Sequence, residues 1–475
     1  MAGSELDLLA IERGLFIAPA GCGKTQLIAN ALRDHKSQKP ILVLTHTNSG
    51  VAALRGRLNR AGVNPAAYRL STIDGWAIRL ITTFPLRSGY DPRIVEGHRP
   101  NYPAIRDLAW KLLKAGHITE VIAASYSRLL VDEYQDCSVR QHAIVYYAAA
   151  LLPTCVLGDP MQAIFGFSPD DPLAEWDSHV CTHFPAAGEL THPWRWTNAC
   201  ANDLGQWLLD VRKKLLAGEP IDLTRAPSDV SWIELNGTQS DYAKLLQAGR
   251  TRSPDKAGSV LIIGDSTKPL SQQKFASEIP GAVTIEAVDL RDLVTFARTL
   301  DVAAPNALQT IAEFAEQMMT NVGAKDLVRR VDIIARGSGR KEPSEVERSA
   351  IAFQSDRTYQ RVLDLLVEIN KDAGVRVFRP AVQRACHRAL ELCCSPEKMT
   401  LHDAAVRVRE QGRLTGRSIP HRAVGSTLLL KGLEAEVAVI LDADSLNSRN
   451  LYVAMTRGSK RLVICARNPV LSPGW

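Results

Sequence analysis

The stretch "APAGCGKT", residues 18–25, restricts the possible folds more than any other part of the sequence. Apolar residues 15–17 come before it, and the apolar spacing of "QLIANALRDH" after it is typical of a helix. Glycines in such a loop let backbone N–H groups turn inward around phosphate oxygens, and the helix that follows adds its positive end. The sequence therefore predicts a strand, a phosphate-binding loop and a helix within an α/β fold.

The residue types of this loop indicate separate roles. Lys24 is long enough to reach the β and γ phosphates of a nucleotide, and the hydroxyl of Thr25 can bind Mg²⁺. A flexible glycine turn is the alternative, but it does not account for the strand before the loop and the periodic helix after it. The backbone that surrounds the phosphates is predicted to come from Ala20, Gly21, Cys22 and Gly23.

Three further apolar runs, "ILVLT", "RLLV" and "TCVLG", predict buried parallel strands. Asp132 and Glu133 follow the second of these runs, at the end of a strand where α/β sheets bind ligands. Successive strand residues point to opposite sides, so Asp132 can hold the metal while Glu133 activates the attacking water. Gln162 follows the third run and is expected to sense the γ-phosphate or to orient that water.

Composition narrows the class of protein. A chain of 475 residues is too long for one ordinary core, so several compact units are expected. Its 45% hydrophobic and 23% charged residues are typical of a soluble globular protein. The sequence has neither a membrane-spanning apolar run nor a basic signal peptide, so we expect a cytoplasmic protein without membrane partners. A net charge of +6 permits an anionic partner without requiring one.

The cysteines favour packing over metal binding or disulfides. The nine cysteines form no CxxC pair, and two of them are adjacent. One group has the residue types of a metal cluster, but its spacing also fits a helix "AVQRACHRALELCC" with one buried face. We favour the helix, because thiols are ordinary core residues. The group comprises Cys386, His387, Cys393, Cys394 and His402.

Four motifs follow one another in an order that resembles the superfamily 1 helicases of the UvrD/Rep/PcrA group. They are "DEYQD" (132–136), "GDPMQAIF" (158–165), "LKGLEAE" (430–436) and "LYVAMTRG" (451–458). The resemblance implies two RecA-like P-loop NTPase lobes with parallel sheets, each carrying a reduced, mainly helical insertion. The implied ranges are 1–76 and 129–189 for lobe 1A, 77–128 for insertion 1B, 190–270 and 419–475 for lobe 2A, and 271–418 for insertion 2B.

The resemblance also implies roles for single residues in binding and hydrolysing ATP with Mg²⁺. In "LTHPWRW" (190–196), Trp194 would stack on the nucleotide base and Arg195 would reach the γ-phosphate. Arg457 would supply a second arginine, Gly432 would let the backbone approach phosphate, and Glu434 would face the ribose or the coupling network. The implied catalytic residues are Lys24, Glu133, Gln162, Arg195 and Arg457, with Thr25 and Asp132 at the metal.

Single-stranded DNA is the partner that the resemblance implies. The side chains that would contact it are Thr45, His46, Asn48, Thr72, Phe165 and Phe167. Core packing is an alternative for the two phenylalanines, and an ordinary surface histidine is an alternative for His46. The chain departs from the family pattern in lacking a glutamine before the phosphate loop. It departs again with Ser426 and Leu428, where the family has threonine and histidine.

The leading hypothesis is an ATP-dependent DNA helicase or translocase of the UvrD type, with 3′ to 5′ polarity and single-strand-stimulated hydrolysis, acting in DNA repair or antiphage defence. Tailed duplex DNA is the expected substrate. Compact UvrD-like chains also resemble the B subunit of Gabija antiphage systems, which assembles with an OLD-family, TOPRIM-containing nuclease. A regulatory DNA-sensing ATPase that activates such a nuclease is therefore the main alternative. A catalytically inert scaffold is disfavoured, because Lys24, Glu133, Arg195 and Arg457 are all present.

Overall fold

The computed structural model describes residues 7–96, 100–166, 169–287, 289–338, 341–396, 399–412 and 420–474. The chain divides into two compact units. The first unit consists of Met1–Glu234, Ala443–Leu462 and Ala466–Trp475, and the second of Leu235–Asp442 and Val463–Cys465. The division into two lobes and two insertions at the boundaries given above stays a prediction.

The first sheet has the strand order β3-β2-β4-β5-β1-β6, and its neighbouring strands pair in parallel. Strands β2, β4 and β5 are buried along their whole length, which explains why they read as continuous apolar runs. The strands are β1 (Arg13–Ile17), β2 (Ile41–Thr45), β3 (Tyr68–Thr72), β4 (Arg128–Val131), β5 (Thr154–Gly158) and β6 (Ala186–Glu189).

Ten helices of the first unit come before residue 220 among the described residues. They are α1 (Lys24–Asp34), α2 (Asn48–Arg60), α3 (Ile73–Thr83), α4 (Pro85–Ser88), α5 (Arg93–Glu96), α6 (Tyr102–Lys114), α7 (Thr119–Ser125), α8 (Val139–Ala148), α9 (Trp194–Asn198) and α10 (Asn202–Ala217). Successive residues of the first sheet point to opposite faces, so Leu42 and Leu44 pack in one core cluster and Ile41 and Val43 in another.

The second sheet has the strand order β10-β13-β9-β14-β15-β8, and the register of β10, β13, β9 and β14 is parallel. Two short antiparallel pairs join β7 with β16 and β11 with β12. These strands are β7 (Ile221–Asp222), β8 (Val230–Glu234), β9 (Val260–Gly264), β10 (Val283–Thr284), β11 (Met319–Thr320), β12 (Arg376–Val377), β13 (Arg422–Ser426), β14 (Ala435–Ile440), β15 (Gly458–Ala466) and β16 (Val470–Leu471). The predicted fold class, two α/β lobes with parallel sheets, is confirmed.

Helices predominate between the strands of the second unit, where residues 290–408 share one apolar core. The helix α18 buries Cys386, as the packing interpretation of the cysteines predicts. Among the described residues, no helix combines the length and the apolar character that crossing a membrane requires. The remaining helices are α11 (Ser240–Gly249), α12 (Pro269–Glu278), α13 (Arg291–Thr299), α14 (Ala307–Glu316), α15 (Ala324–Ala335), α16 (Glu345–Ser355), α17 (Tyr359–Lys371), α18 (Pro380–Cys393), α19 (Leu401–Gly412), α20 (Thr427–Leu430) and, in the first unit, α21 (Ser448–Met455).

Two further predictions from the sequence are wrong, a strand for "TLLL" and a loop for "TTFPLRSGYDPRIVEGHRPNYP". The apolar run "TLLL" reads as a strand, but it forms the short helix α20, because the side chain of Ser426 accepts the N–H of Leu429 and caps the helix. The stretch "TTFPLRSGYDPRIVEGHRPNYP" reads as a loop, but α3 extends into it and α4 and α5 lie within it. Pro85 starts α4, and Gly89 ends it with a φ of 70°.

Candidate active site

The loop between β1 and α1 has the backbone that a phosphate cradle requires. Gly21 and Gly23 have φ angles of 73° and 87°, in the left-handed region that favours glycine. The N–H of Ala18 donates to the carbonyl of Gly158 at 2.9 Å. The N–H of Ala20 donates to the hydroxyl of Tyr452, a residue of α21, at 3.2 Å. Groups outside the loop therefore hold it in place, and its two glycines adopt the backbone angles that the turn requires.

Two tryptophans of α9 pack against this loop. A Cβ atom on Gly21 would lie 2.5 Å from the ring of Trp196, and one on Gly23 would lie 2.9 Å from the ring of Trp194. The indole N–H of the fully buried Trp196 donates to the carbonyl of Gly458 at 2.9 Å. The close approach of both rings leaves no room for a side chain, which is a second reason for glycine at these positions.

Trp194 lies beside the phosphate loop with 51% of its surface exposed, so its ring is available to a nucleotide base. We expect Trp194→Ala to weaken ATP binding about tenfold, because base stacking on an aromatic ring contributes roughly 1–3 kcal/mol. The melting temperature should change little, since the ring is half exposed. Titration with a fluorescent ATP analogue measures the affinity, with Trp194→Phe as the control that keeps an aromatic face. Equal affinity of Trp194→Ala and the wild type would exclude the stacking role.

Lys24 meets both acids of the "DEYQD" motif. Its ammonium lies 2.9 Å from Oδ1 of Asp132 and 2.6 Å from Oε1 of Glu133. Burial alone would lower the pKa of Lys24, but the two carboxylates raise it above its ordinary value, so the side chain stays charged. Burial raises the pKa of Asp132 above its ordinary value, against the opposing effect of Lys24. A cation and two acids thus converge at the start of α1.

The backbone and one neighbour set the direction of the Glu133 side chain. Glu133 has a φ of 55°, which a residue with a side chain rarely adopts. Its N–H donates to Oδ1 of Asp132 at 2.9 Å, and its Oε2 accepts the amide of Gln135 at 2.6 Å. Gln135 lies within the "DEYQD" motif, but its residue type and spacing alone indicate no role for it.

Gln162 lies in a turn that follows β5, and its side chain is held rather than free to rotate. Its amide nitrogen donates to Oδ2 of Asp159 at 3.1 Å. The N–H of Asp159 in turn donates to Oε1 of Gln135 at 3.1 Å. Gln162 is thereby linked to Glu133 through two intermediate residues. Neither Asp159 nor this link follows from motif spacing alone.

The structure brings the two predicted phosphate-reaching arginines to one residue. Arg195 donates from Nη1 to the carbonyl of Thr456 at 2.6 Å. Arg457 donates from Nη2 to the hydroxyl of Thr456 at 3.0 Å and from Nε to the carbonyl of Val453 at 2.8 Å. The N–H of Arg195 also donates to the carbonyl of Gly21 at 3.0 Å, so this arginine borders the phosphate loop directly.

The oxygen donors near the loop fit Mg²⁺. The hydroxyl of Thr25 and the carboxylate of Asp132 are hard oxygen ligands, and Mg²⁺ is commonly held by one or two protein oxygens together with phosphates. In the described ranges, no group of three or more His, Cys, Asp or Glu side chains is arranged for a metal ion. The hydroxyl of Thr25 accepts a hydrogen bond from Nη1 of Arg57 at 3.2 Å.

The side chains predicted to contact DNA differ in their surroundings. Thr45 and Thr72 are partners in the register of β2 and β3, but Thr45 is 1% exposed and Thr72 caps α3 by accepting the N–H of Gly75. The rings of His46 and Phe165 lie 5.5 Å apart. Asn48 is the first residue of α2. Phe167 lies outside the described residues.

The remaining predicted nucleotide contacts lie in the second unit. Gly432 has a φ of 82°, and it occupies the turn between α20 and β14 together with Glu434. A Cβ atom on Gly432 would meet nothing within 4 Å, so the left-handed backbone rather than crowding explains the glycine. The roles of Gly432 and Glu434 at the ribose and phosphates stay predictions.

The comparisons with known proteins give a family match and a number of similar solved structures, two of which are helicases described below. Residues 101–172 match the model of the UvrD/REP helicase N-terminal domain. An arterivirus nonstructural protein 10, a helicase solved with DNA, is 9% identical with a TM-score of 0.36, over 95% of this chain and 60% of that one. The Pif1 helicase from Candida albicans is 12% identical with a TM-score of 0.37, over 97% of this chain and 93% of that one. No curated protein matches the sequence.

Proposed function

We propose that this chain is an ATP-dependent DNA helicase or translocase of the superfamily 1 UvrD-like group, and the match of residues 101–172 to the UvrD/REP helicase N-terminal domain supports this proposal. The observation that carries the proposal is the convergence of Lys24, Asp132 and Glu133 at the phosphate loop. A cation for phosphate, an acid for the metal and a second acid for water are the groups that ATP hydrolysis needs.

Each side chain at the phosphate loop has its own task in hydrolysis. Lys24 exchanges its carboxylate partners for phosphate oxygens when ATP binds, which leaves Oε1 of Glu133 to accept a proton from water. Gln135 keeps hold of the other oxygen of Glu133 and so fixes the direction of the base. Thr25 and Asp132 would hold Mg²⁺, which when bound neutralises charge on the β and γ phosphates.

Two arginines supply further positive charge for the phosphate that is transferred. Arg195 borders the loop through its contact with Gly21, and Arg457 shares Thr456 with it. Guanidinium groups bridge phosphate oxygens and stabilise the charge that develops during transfer. Trp194 supplies a stacking face for the base. This stacking also offers a way to hold a nucleotide without the upstream glutamine that the family uses.

The finer assignment is a motor of the UvrD type that moves 3′ to 5′ along single-stranded DNA, in DNA repair or antiphage defence. The order of the motifs supports DNA as the track of this motor, and the net charge of +6 is compatible with an anionic partner. His46 and Phe165 present neighbouring rings that could stack on bases, which suits a grip that tolerates any sequence.

Strand displacement tests this assignment. Purified protein with ATP and Mg²⁺ is incubated with duplexes that carry a 3′ tail, a 5′ tail or no tail, and the released labelled strand is measured. We expect release from the 3′-tailed duplex alone, and none with Glu133→Gln. Release from only the 5′-tailed duplex would contradict the polarity, and hydrolysis of ATP without any release would contradict unwinding.

One observation favours a second candidate, a regulatory DNA-sensing ATPase that activates an OLD/TOPRIM nuclease, as in Gabija systems. The hydroxyls of Thr72 and Ser426 serve as helix caps, and Leu428 replaces a histidine, so fewer polar groups remain for tracking DNA. Co-expression with the product of the neighbouring reading frame tests this candidate. A co-purifying nuclease whose activity depends on intact Glu133 would support it, and a chain that purifies alone and unwinds DNA would contradict it.

A further inference from the structure

A buried ion pair joins the turn after β5 to the helix α10, which has no role in the mechanism proposed above. Asp159, after β5, is fully buried, and its Oδ1 accepts both Nε and Nη2 of Arg212 at 3.1 and 3.0 Å. Arg212 lies on α10, the helix that follows α9, and Nη1 of the same guanidinium donates to Glu189 at 3.0 Å. All three residues belong to the first unit.

Asp159 links Arg212 to the groups around the proposed reaction centre. Its Oδ2 accepts the amide of Gln162, and its N–H donates to Gln135, which holds Oε2 of Glu133. The two N–H donors of Arg212 make a two-point contact with one oxygen, Oδ1, to which the N–H of Met161 also donates at 3.2 Å. Because a guanidinium presents its donors in a rigid fork, this contact fixes the position of Oδ1, and the carboxylate then holds Oδ2 toward Gln162.

We infer that Arg212 is a positioning residue for ATP hydrolysis, which acts through Asp159 to orient Gln162 and, by way of Gln135, the base Glu133. This inference rests on the proposed ATPase function. It gives α10 an influence on the hydrolytic groups through Asp159, and α9, which carries Trp194 and Arg195, comes immediately before α10. The position of α10 and the direction of the Gln162 side chain are thereby coupled through one ion pair.

A purely structural role for the pair is the alternative, and the two roles predict different behaviour. Removal of one partner from a buried pair leaves an uncompensated charge and destabilises the fold, whereas neutralising both partners is often tolerated. Orientation of Gln162, in contrast, needs the fixed carboxylate and is lost in both cases. The double variant Asp159→Asn with Arg212→Met therefore separates stability from positioning.

The experiment measures steady-state ATP hydrolysis, affinity for a fluorescent ATP analogue and melting temperature for each variant. We expect Arg212→Met to lower kcat at least about tenfold, because the loss of a residue that orients a directly acting group commonly has an effect of this size. The affinity for the fluorescent ATP analogue should change little. In the double variant the melting temperature should recover while kcat stays low. Recovery of kcat together with the melting temperature would overturn the inference.

Two further variants keep the test decisive. Arg212→Lys retains a buried cation and thus the fold, but an ammonium cannot reproduce the two-point contact, so kcat should still fall at least about threefold. A wild-type kcat in Arg212→Lys would contradict the inference even if Arg212→Met fails to fold. The matched control is Arg225→Met, which removes an arginine whose side chain is 86% exposed. It should hydrolyse ATP like the wild type.

Failure of the inference and failure of the proposed function give different results. If the wild type does not hydrolyse ATP at all, the proposed function fails. If the wild type hydrolyses ATP, Glu133→Gln does not, and every Arg212 variant that folds matches the wild type, only the inference fails.

Discussion

Replacing Glu133 by glutamine is expected to lower ATP turnover at least about 10²-fold while ATP binding is retained, since loss of a positioned general base commonly costs that much or more. The amide of Gln135, 2.6 Å from Oε2, holds the carboxylate in place for this role, and Oε1 lies 2.6 Å from the ammonium of Lys24, which the proposed mechanism moves to phosphate when ATP binds. Glutamine has nearly the same shape but cannot take a proton from water at neutral pH. The chemical step should therefore fail while the phosphate loop stays intact.

The measurement compares kcat with the affinity for a fluorescent ATP analogue in the same preparations. The matched control is Glu120→Gln, an exposed glutamate in the first turn of α7, which should leave both quantities unchanged. Turnover by Glu133→Gln within about threefold of the wild type would refute the assignment of the base, because the expected loss is at least about 10²-fold.

Replacing Lys24 by methionine should have a comparable effect on kcat/KM, at least roughly 10²-fold, because one preorganised charge at the transferring phosphate is lost. In contrast to the Glu133 variant, the affinity for ATP should fall as well. The variant also leaves Asp132 and Glu133 close together without their shared cation. Since burial already raises the pKa of Asp132, we expect a lower melting temperature in the absence of nucleotide.

Isothermal titration with ATP and Mg²⁺ and thermal melting test these expectations. Lys36→Met is the matched control, because Lys36 is exposed beyond the end of α1 and should affect neither quantity. Unchanged affinity for ATP in Lys24→Met would argue against a phosphate contact and would leave Lys24 as a structural partner of the two acids.

The strands and the phosphate loop could be predicted from the sequence because buried parallel strands and glycine-rich turns have distinct patterns. The apolar run 41–45 predicts a strand with the same bounds as β2. The helix α20 could not be separated from a strand by periodicity, since four apolar residues fit either. The capping serine before it was the one available signal.

Contacts between residues far apart in the chain could not be predicted in the same way. Asp159 and Arg212 are 53 positions apart, and Arg195 and Thr456 are 261 apart. No local pattern states which arginine of a basic helix will turn inward to a buried acid. The motifs located the proposed reacting groups, whereas their contacts with Gln135, Asp159 and Arg212 became visible only in three dimensions.

We propose above all that this chain hydrolyses ATP in response to single-stranded DNA. Its most direct test is the steady-state rate of phosphate release by the purified wild type, measured with Mg²⁺ and saturating ATP, with and without an oligonucleotide of mixed sequence. We expect the rate of hydrolysis to rise at least several-fold when DNA is added, by roughly the factor that a coupling of 1–3 kcal/mol allows. Phosphate release that stays at the level of Glu133→Gln, with and without DNA, would contradict it.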